Sequence, residues 1–532
     1  MIRIANCSGF YGDRLEAARE LVEGGPIDVL TGDYLAELTM LILARSGEGY
    51  AKTFLRQLED VLATCLERGI KVVSNAGGLN PAGLAEKVRG LGARVAHVEG
   101  DDLRDRFPEA LTANAYLGAW PIVEALKADA DVVITGRVTD AALVVGPAAW
   151  RFGWARDDWD RLAGAVVAGH VLECGAQATG GNYSFFQEVP GLEHPGFPIA
   201  EVHEDGSAVI TKHERTGGAV SVGTVTAQLL YEVESPAYVG PDVVARFDTI
   251  RLEQEAPDRV RISDVRGEPP PPTLKVAVNE LGGFRNSMTF VLPGLDVEAK
   301  AALVRRTLEP RLEGVEADWR LLRTEEGGQL RVVVKSRDAD RVGRRFSAAA
   351  IELALASYPG FHTTTPPTNE SPYGVYHAEF VPAAEVEPVV VHHDGAKTPV
   401  PPVPTESFRV TTAHEDAASR IEGPTRRAPL GALFGARSGD KGGDANVGVW
   451  ARTPEAYAWL ANFLTVDRFK ELVPEAGKVD RYVFPNLLAL NLVARGLLGE
   501  GVAASARPDP QAKGLGEYLR AQEVEIPEAL LD

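Results

Sequence analysis

Between residues 1 and 185 one pattern recurs. A short apolar run rich in Val and Ile ends abruptly in Gly, Asn or Asp, and a segment with apolar residues at helical spacing follows. The apolar runs fall at 2–5, 28–30, 71–74, 94–98 and 131–135, and helical segments at 14–23, 50–68 and 82–91 lie between them. Runs of this length, bounded by turn residues, read as buried strands. Strands alternating with helices read as βαβ units around a mostly parallel sheet whose faces the helices cover. The expected fold is α/β, with a Rossmann-like parallel layer at the N-terminus.

The strand ends are polar: Asn6-Cys7-Ser8-Gly9, Thr31-Gly32-Asp33, Asn75-Ala76-Gly77-Gly78, Glu99-Gly100-Asp101-Asp102 and Thr135-Gly136-Arg137. Taken singly, each is what Gly, Asn and Asp do in any turn. Taken together they predict one functional sheet edge, because open α/β sheets bind ligands at the carboxyl ends of their strands. Arg137 has the fork that grips a carboxylate or phosphate. Asp140 opens the next helix and has three readings: a cap, a hydroxyl ligand or a base. GFYGDR is not GxGxxG and no GxxxxGK[ST] occurs, so no dinucleotide or ATP site is assigned.

A second apolar helix carries His170, Glu173 and Cys174, then a polar turn, Thr179 to Tyr183, that includes Asn182. Positions i, i+3 and i+4 share a helix face, so the three side chains can converge. The readings are an acid/base pair, a cysteine nucleophile with His170 as its base, or part of a metal set. No complete metal-ligand set is assigned. Asp33, Asp101, Asp102 and Asp140 add carboxylates at strand ends, where paired acids can divide into proton donor and acceptor. Asn75 and Asn182 are candidates to polarise a carbonyl.

Five hundred and thirty-two residues imply two to four domains. Residues 1–185 are the first and residues 186–365 an α+β second subdomain. Residues 366–428, rich in Pro, Thr and His and including His392-His393, are expected to be an extended linker. Residues 429–532 form a small domain with a strand at 430–436 and a Gly-rich polar loop from Arg437 to Asn446. That loop holds Arg437 and Lys441 and has the composition of an anion site. The net charge of −20 argues against general nucleic-acid binding and against an anionic membrane surface. Three scattered cysteines fit a reducing compartment. MIRIANCSGF reads as a strand and turn rather than a signal peptide, and no apolar run reaches membrane-spanning length. The expectation is a soluble cytoplasmic protein, and a homo-oligomer by the general habit of large cytosolic proteins.

The segments GFYGDR, LTGDYLAELTM, SNAGGLNP, VEGDDL, ANAYLGAWPI, ITGRVTDAAL, GHVLECGAQATGGNY and GTVTAQLLYEV resemble the AtuA family of acyclic terpene utilisation. The tail segment GARSGDKGGDANVGVWAR resembles the small ferredoxin-like α+β domain often fused behind it. The resemblance implies a catabolic route for branched acyl-CoA esters, with a CoA thioester as part of the substrate; no cofactor is assigned. It supplies no catalytic residues. The resulting expectation is a lyase or hydro-lyase (a hydratase run in either direction) acting on a branched acyl-CoA or related acid. Asp33, Asp140 and Glu173 would move the proton with His170 as shuttle. Arg137 and the Gly-rich loop ends, with Gly136, Gly77, Gly78, Arg437 and Lys441, would hold the anion, Asp101 would bind the substrate, and Asn75 and Asn182 would polarise the carbonyl. The alternative is a non-catalytic assembly partner of an acyl-CoA carboxylase.

Overall fold

The computed structural model describes residues 1–407 and 423–531. At its centre, among the described residues, is an eleven-stranded mixed sheet. Ile2–Asn6, Val29–Gly32, Lys71–Ser74, Val132–Ile134 and Val95–Glu99 lie side by side in that order, all parallel. These are the five expected strands. Neighbouring residues along them enter different cores. Ile4, Val29, Val73 and Val133 join one cluster, while Ala5, Leu30, Val72 and Ile134 join another. A strand buried on both faces has no polar side to show, which is why its sequence is a continuous apolar run. Helices Ala17–Gly24, Lys52–Arg68 and Pro81–Arg89 fill one of these cores with Leu21, Phe54, Leu58 and Leu84.

The sheet is less parallel than expected. Pro198–Val202 pairs antiparallel with Ile2–Asn6, and Ala208–Lys212, Arg259–Ser263 and Arg251–Ala256 follow outward. Residues 198–212 form a hairpin with no crossover helix, so antiparallel pairing is the only geometry open to them. Four strands from the stretch assigned to a second layer therefore extend the first.

Contacts divide the chain at 278/279 rather than at 185. One unit comprises 1–278, 377–502 and 511–532, and the other 279–376 and 503–510. The second unit begins within the long strand Thr273–Pro293. This strand pairs with Gly327–Ser336, which pairs with Glu316–Thr324. Helices Val297–Leu308 and Arg344–Ile351 cover one face of this sheet through Val304, Leu308 and Phe346.

The stretch expected as linker is structured over much of its length. Ser371–Pro382, Val389–Val391 and Lys397–Pro399 are strands. Three consecutive valines pair with the edge strand Val95–Glu99 and Lys397–Pro399 caps that edge, so β-branched residues outweigh the surrounding prolines. His392 and His393 sit at the turn of this hairpin, with His392 Nε2 2.8 Å from Thr398 Oγ1. Residues 408–422 of the expected linker lie outside the described residues.

The C-terminal segment forms an antiparallel four-stranded sheet in the order Gly435–Lys441, Asp444–Trp450, Ala489–Arg495, Lys478–Phe484. Here the expected loop from Arg437 to Asn446 is a correction. Arg437 to Lys441 and Asp444 to Asn446 are strand residues, and the turn is Gly442-Gly443 alone, with Gly442 at φ 61°. Asp444–Trp450 is paired on both sides, so its backbone N–H groups are engaged in the ladder, whereas Gly435–Lys441 is an edge strand paired on one side. The charged side chains alternate instead, so Arg437, Gly439 and Lys441 share one face. No helix among the described residues is long and apolar enough to cross a membrane.

Candidate active site

The carboxyl ends of the parallel strands do converge with the end of helix Trp159–Leu172. Asp33 follows Val29–Gly32 and is buried, and its Oδ1 accepts a 2.6 Å hydrogen bond from Asn75 Nδ2, just past Lys71–Ser74. Asn75 Oδ1 accepts the Tyr34 N–H at 2.8 Å, so this amide fixes the Asp33 turn. Arg137, past Val132–Ile134, is 3% exposed. It donates to the Leu35 carbonyl at 2.5 Å, lies 3.2 Å from Asp140 Oδ1 and stacks 4.2 Å from the Tyr116 ring centre. Its fork is therefore occupied by protein groups, and its work is to organise carboxylates rather than to wait for an anion. Asp140 is not a helix cap. The helix is Ala142–Phe152, and its start makes no side-chain cap bond.

His170 is fully buried in helix Trp159–Leu172. Glu173 occupies the C-cap position and Cys174 lies beyond it. Asn6 Nδ2 ties this end to the first strand, donating to the carbonyls of Leu172 at 2.6 Å and Glu173 at 3.3 Å. The i, i+3 reading holds: His170 Nδ1 is 3.1 Å from Glu173 Oε1. The angle is not that of a hydrogen bond, and among the described residues both ring nitrogens, Glu173 Oε2 and Gln228 Oε1 are buried without a hydrogen-bond partner. Tyr238 and Phe247 flank the imidazole at 5.0 and 5.4 Å.

Burial sets the electrostatics. It raises the Asp33 carboxyl well above the usual carboxylate range, with the charge of Asp140 adding to the rise and Arg137 opposing it. Burial, then the charges of Asp140 and Glu232, raise Glu173 likewise. Two carboxyl groups on different elements thus answer to the charge of the same third residue, Asp140. Burial and the Lys441 ammonium lower the His170 imidazole to about 4, so it is neutral at pH 7. The Cys174 thiol is pushed up by burial and by Glu173. A thiol so placed holds little thiolate at neutral pH, which removes the nucleophile reading.

The C-terminal hairpin faces this cluster. Arg437 is 7% exposed, stacks 4.5 Å from the Tyr231 ring centre and donates to Gln177 Oε1. The Lys441 ammonium sits 5.9 Å from the Tyr238 ring. Gly439, between them on the same face, lets Tyr231 in, since a Cβ there would meet Tyr231 Cε2 at 2.3 Å. Lys513 donates to the Tyr231 hydroxyl. Asn446 and Asn491 hold the 230–233 turn against the sheet through the Leu230 carbonyl, the Glu232 N–H and the Val233 carbonyl, at 2.7 to 2.9 Å. Sequence reasoning missed Gln177, Tyr231, Glu232, Tyr238 and Lys513. The signal available was an aromatic beside an acid in LLYEV, with no chemical pattern of its own.

Other expected site residues have different jobs. Asp101 is 4% exposed and accepts the Arg137 N–H at 2.8 Å and Asn114 Nδ2 at 2.9 Å, fixing the loop that carries Arg137. Gly136 leaves room for that carboxylate, 2.6 Å from where its Cβ would be. Gly77 lies against the Thr135 carbonyl, and Gly78, at φ 52°, against Leu43 and the Gly49 carbonyl, so both are close-approach positions. Asn182 is exposed at φ 57°, a turn residue with no hydrogen bond to the cluster among the described residues.

Among the described residues no group of three or more His, Cys, Asp or Glu side chains is arranged to hold a metal ion. No curated protein and no solved structure matches the chain. A family model described as acyclic terpene utilisation family protein AtuA matches residues 2–392, and a second, the AtuA ferredoxin-like domain, matches residues 428–525. The chain thus belongs to the acyclic terpene utilisation family AtuA and carries that family's ferredoxin-like domain behind its core.

Proposed function

We propose that this protein is a cytoplasmic enzyme of acyclic terpene catabolism, a lyase or hydro-lyase acting on a branched acyl-CoA or the related carboxylic acid. The observation that carries the reading is the pair of buried carboxyls Asp33 and Glu173, both raised by burial and by the charge of the half-buried Asp140. A carboxyl kept protonated at neutral pH is a proton donor, and a neighbouring carboxylate is an acceptor. Glu173, with neutral His170 beside it, serves as the acid. Asp140, held by Arg137, serves as the base. Asp33, oriented by Asn75, is the reserve that returns the proton. The Lys441 ammonium stabilises negative charge developing on a carbonyl oxygen.

In a dehydration, Asp140 takes the C2 proton and Glu173 protonates the C3 hydroxyl, which leaves as water. In a carbon–carbon cleavage, Asp140 takes the C3 hydroxyl proton, the C2–C3 bond breaks and Glu173 protonates C2. Each route moves one proton out and one in, which two carboxyls of opposite protonation supply.

The test is mass-spectrometric assay of the purified protein against branched 3-hydroxyacyl- and 2-enoyl-CoA thioesters and their free acids. Turnover that falls by about 100-fold or more in Glu173→Gln and Asp140→Asn, with the fold intact, supports the reading. Unchanged turnover in both variants sinks it. So does absence of turnover from a preparation that retains an acyl-CoA carboxylase subunit.

A further inference from the structure

Arg437 is a buried cation without an anion. Its hydrogen bond goes to a neutral amide oxygen, Gln177 Oε1, and its face lies on Tyr231. No carboxylate lies within ion-pair distance of it among the described residues. Burial lowers its pKa from the ordinary value, and Glu232, which opposes this, acts without an ion pair. A guanidinium taken out of water without a counter-charge is costly, and the usual remedy is a bidentate carboxylate.

We propose that Arg437 is the receptor for a free carboxylate on the substrate. The ferredoxin-like domain then supplies a specificity residue, and the substrate is an acid, or a thioester that keeps a second, unesterified carboxylate. The reactive end follows from the chain itself: Gln177, which steadies Arg437, lies four residues after Glu173. The stacked guanidinium leaves its in-plane N–H groups as the binding edge, which matches a planar carboxylate. This inference rests on the acid reading of the substrate given above and adds which group is recognised and by which domain.

The experiment is thermal shift and titration calorimetry of the full chain with 3-methylbutanoate, 3-methylglutarate, 3-methylbutanamide and inorganic phosphate. Wild type is stabilised by the two acids and not by the amide. Arg437→Gln weakens acid binding by about 10- to 100-fold, the range of a charge-assisted hydrogen bond, and Arg437→Lys does not restore it. The unliganded Arg437→Gln protein melts at or above wild type, because an unpaired buried charge is gone. Equal acid binding by wild type and both variants overturns the proposal. Stabilisation by the amide, or by phosphate in an Arg437-dependent way, overturns the carboxylate assignment. If Arg437→Gln does not fold, Arg437→Lys alone decides by the same comparison. Arg437-dependent acid binding in a protein with no lyase or hydratase turnover would leave this inference standing and remove the reaction class.

Discussion

Asp101→Asn should make this protein more stable at neutral pH, although it removes a residue with two hydrogen bonds. Asp101 is 4% exposed, and burial raises its carboxyl from the ordinary 3.8 to about 6 despite the Arg137 N–H and Asn114 Nδ2 that it accepts. The folded state therefore holds this proton more tightly than the unfolded state. Below pH 3.8 both states are protonated and the side chain costs nothing. As pH rises from 3.8 to about 6, only the unfolded state ionises and stability falls. Above about 6 the cost is complete. At about 1.4 kcal/mol per pH unit, that interval is worth about 3 kcal/mol. Asparagine keeps an oxygen for both donors and carries no charge, so it imitates the protonated form at every pH. Urea unfolding of the two proteins between pH 4 and 8 should show curves that meet near pH 4 and separate by about 3 kcal/mol in the variant's favour above pH 6. A variant less stable than wild type at pH 7, or a gap that does not change with pH, would refute the reasoning.

Other changes test neighbouring parts of the same site. His170→Phe should flatten acid sensitivity: the imidazole at about 4 stays neutral while the unfolded chain protonates near 6.5, so wild type loses about 3 kcal/mol as pH falls through that window, and the variant does not. Phenylalanine suits the space beside Tyr238 and Phe247, so stability at pH 8 should hold, read by urea melts at both pH values. Gly439→Ala should cost about 1–3 kcal/mol by overpacking, because its Cβ meets Tyr231 at 2.3 Å, and should weaken acid binding by moving the ring under Arg437; calorimetry and thermal melts check both. Asn6→Ala should cost about 1–3 kcal/mol by leaving the Leu172 and Glu173 carbonyls without their donor, and should raise local amide exchange at the end of helix Trp159–Leu172.

Some of this site was legible before any fold was known. The position of Asp33, Asn75, Arg137 and Asp140 past the ends of neighbouring strands was legible because strand-end turns have a compositional mark and a topological rule places them together. The pairing of His170 with Glu173 was found because helical spacing is arithmetic. The role of Arg137 was not legible, because a fork that holds a substrate and one that holds Asp140 have the same sequence. The Gly-rich charged segment misled for a related reason. Two glycines and alternating charges fit an anion-binding loop and also a hairpin whose side chains face one way, and only the ladder partners distinguish them.

By itself the sequence determined the parallel strands, since residues buried on both faces must be apolar without interruption, and it determined which turns end them. Tertiary structure alone decided that Pro198–Val202, Ala208–Lys212, Arg259–Ser263 and Arg251–Ala256 extend the same sheet and that Val389–Val391 pairs with Val95–Glu99 at its other side. It also decided that Tyr231 and Arg437, 206 positions apart, share one stack. Local patterning records which face of an element is buried. It holds no record of which distant element does the burying, and the charge on a buried carboxyl depends on that neighbour.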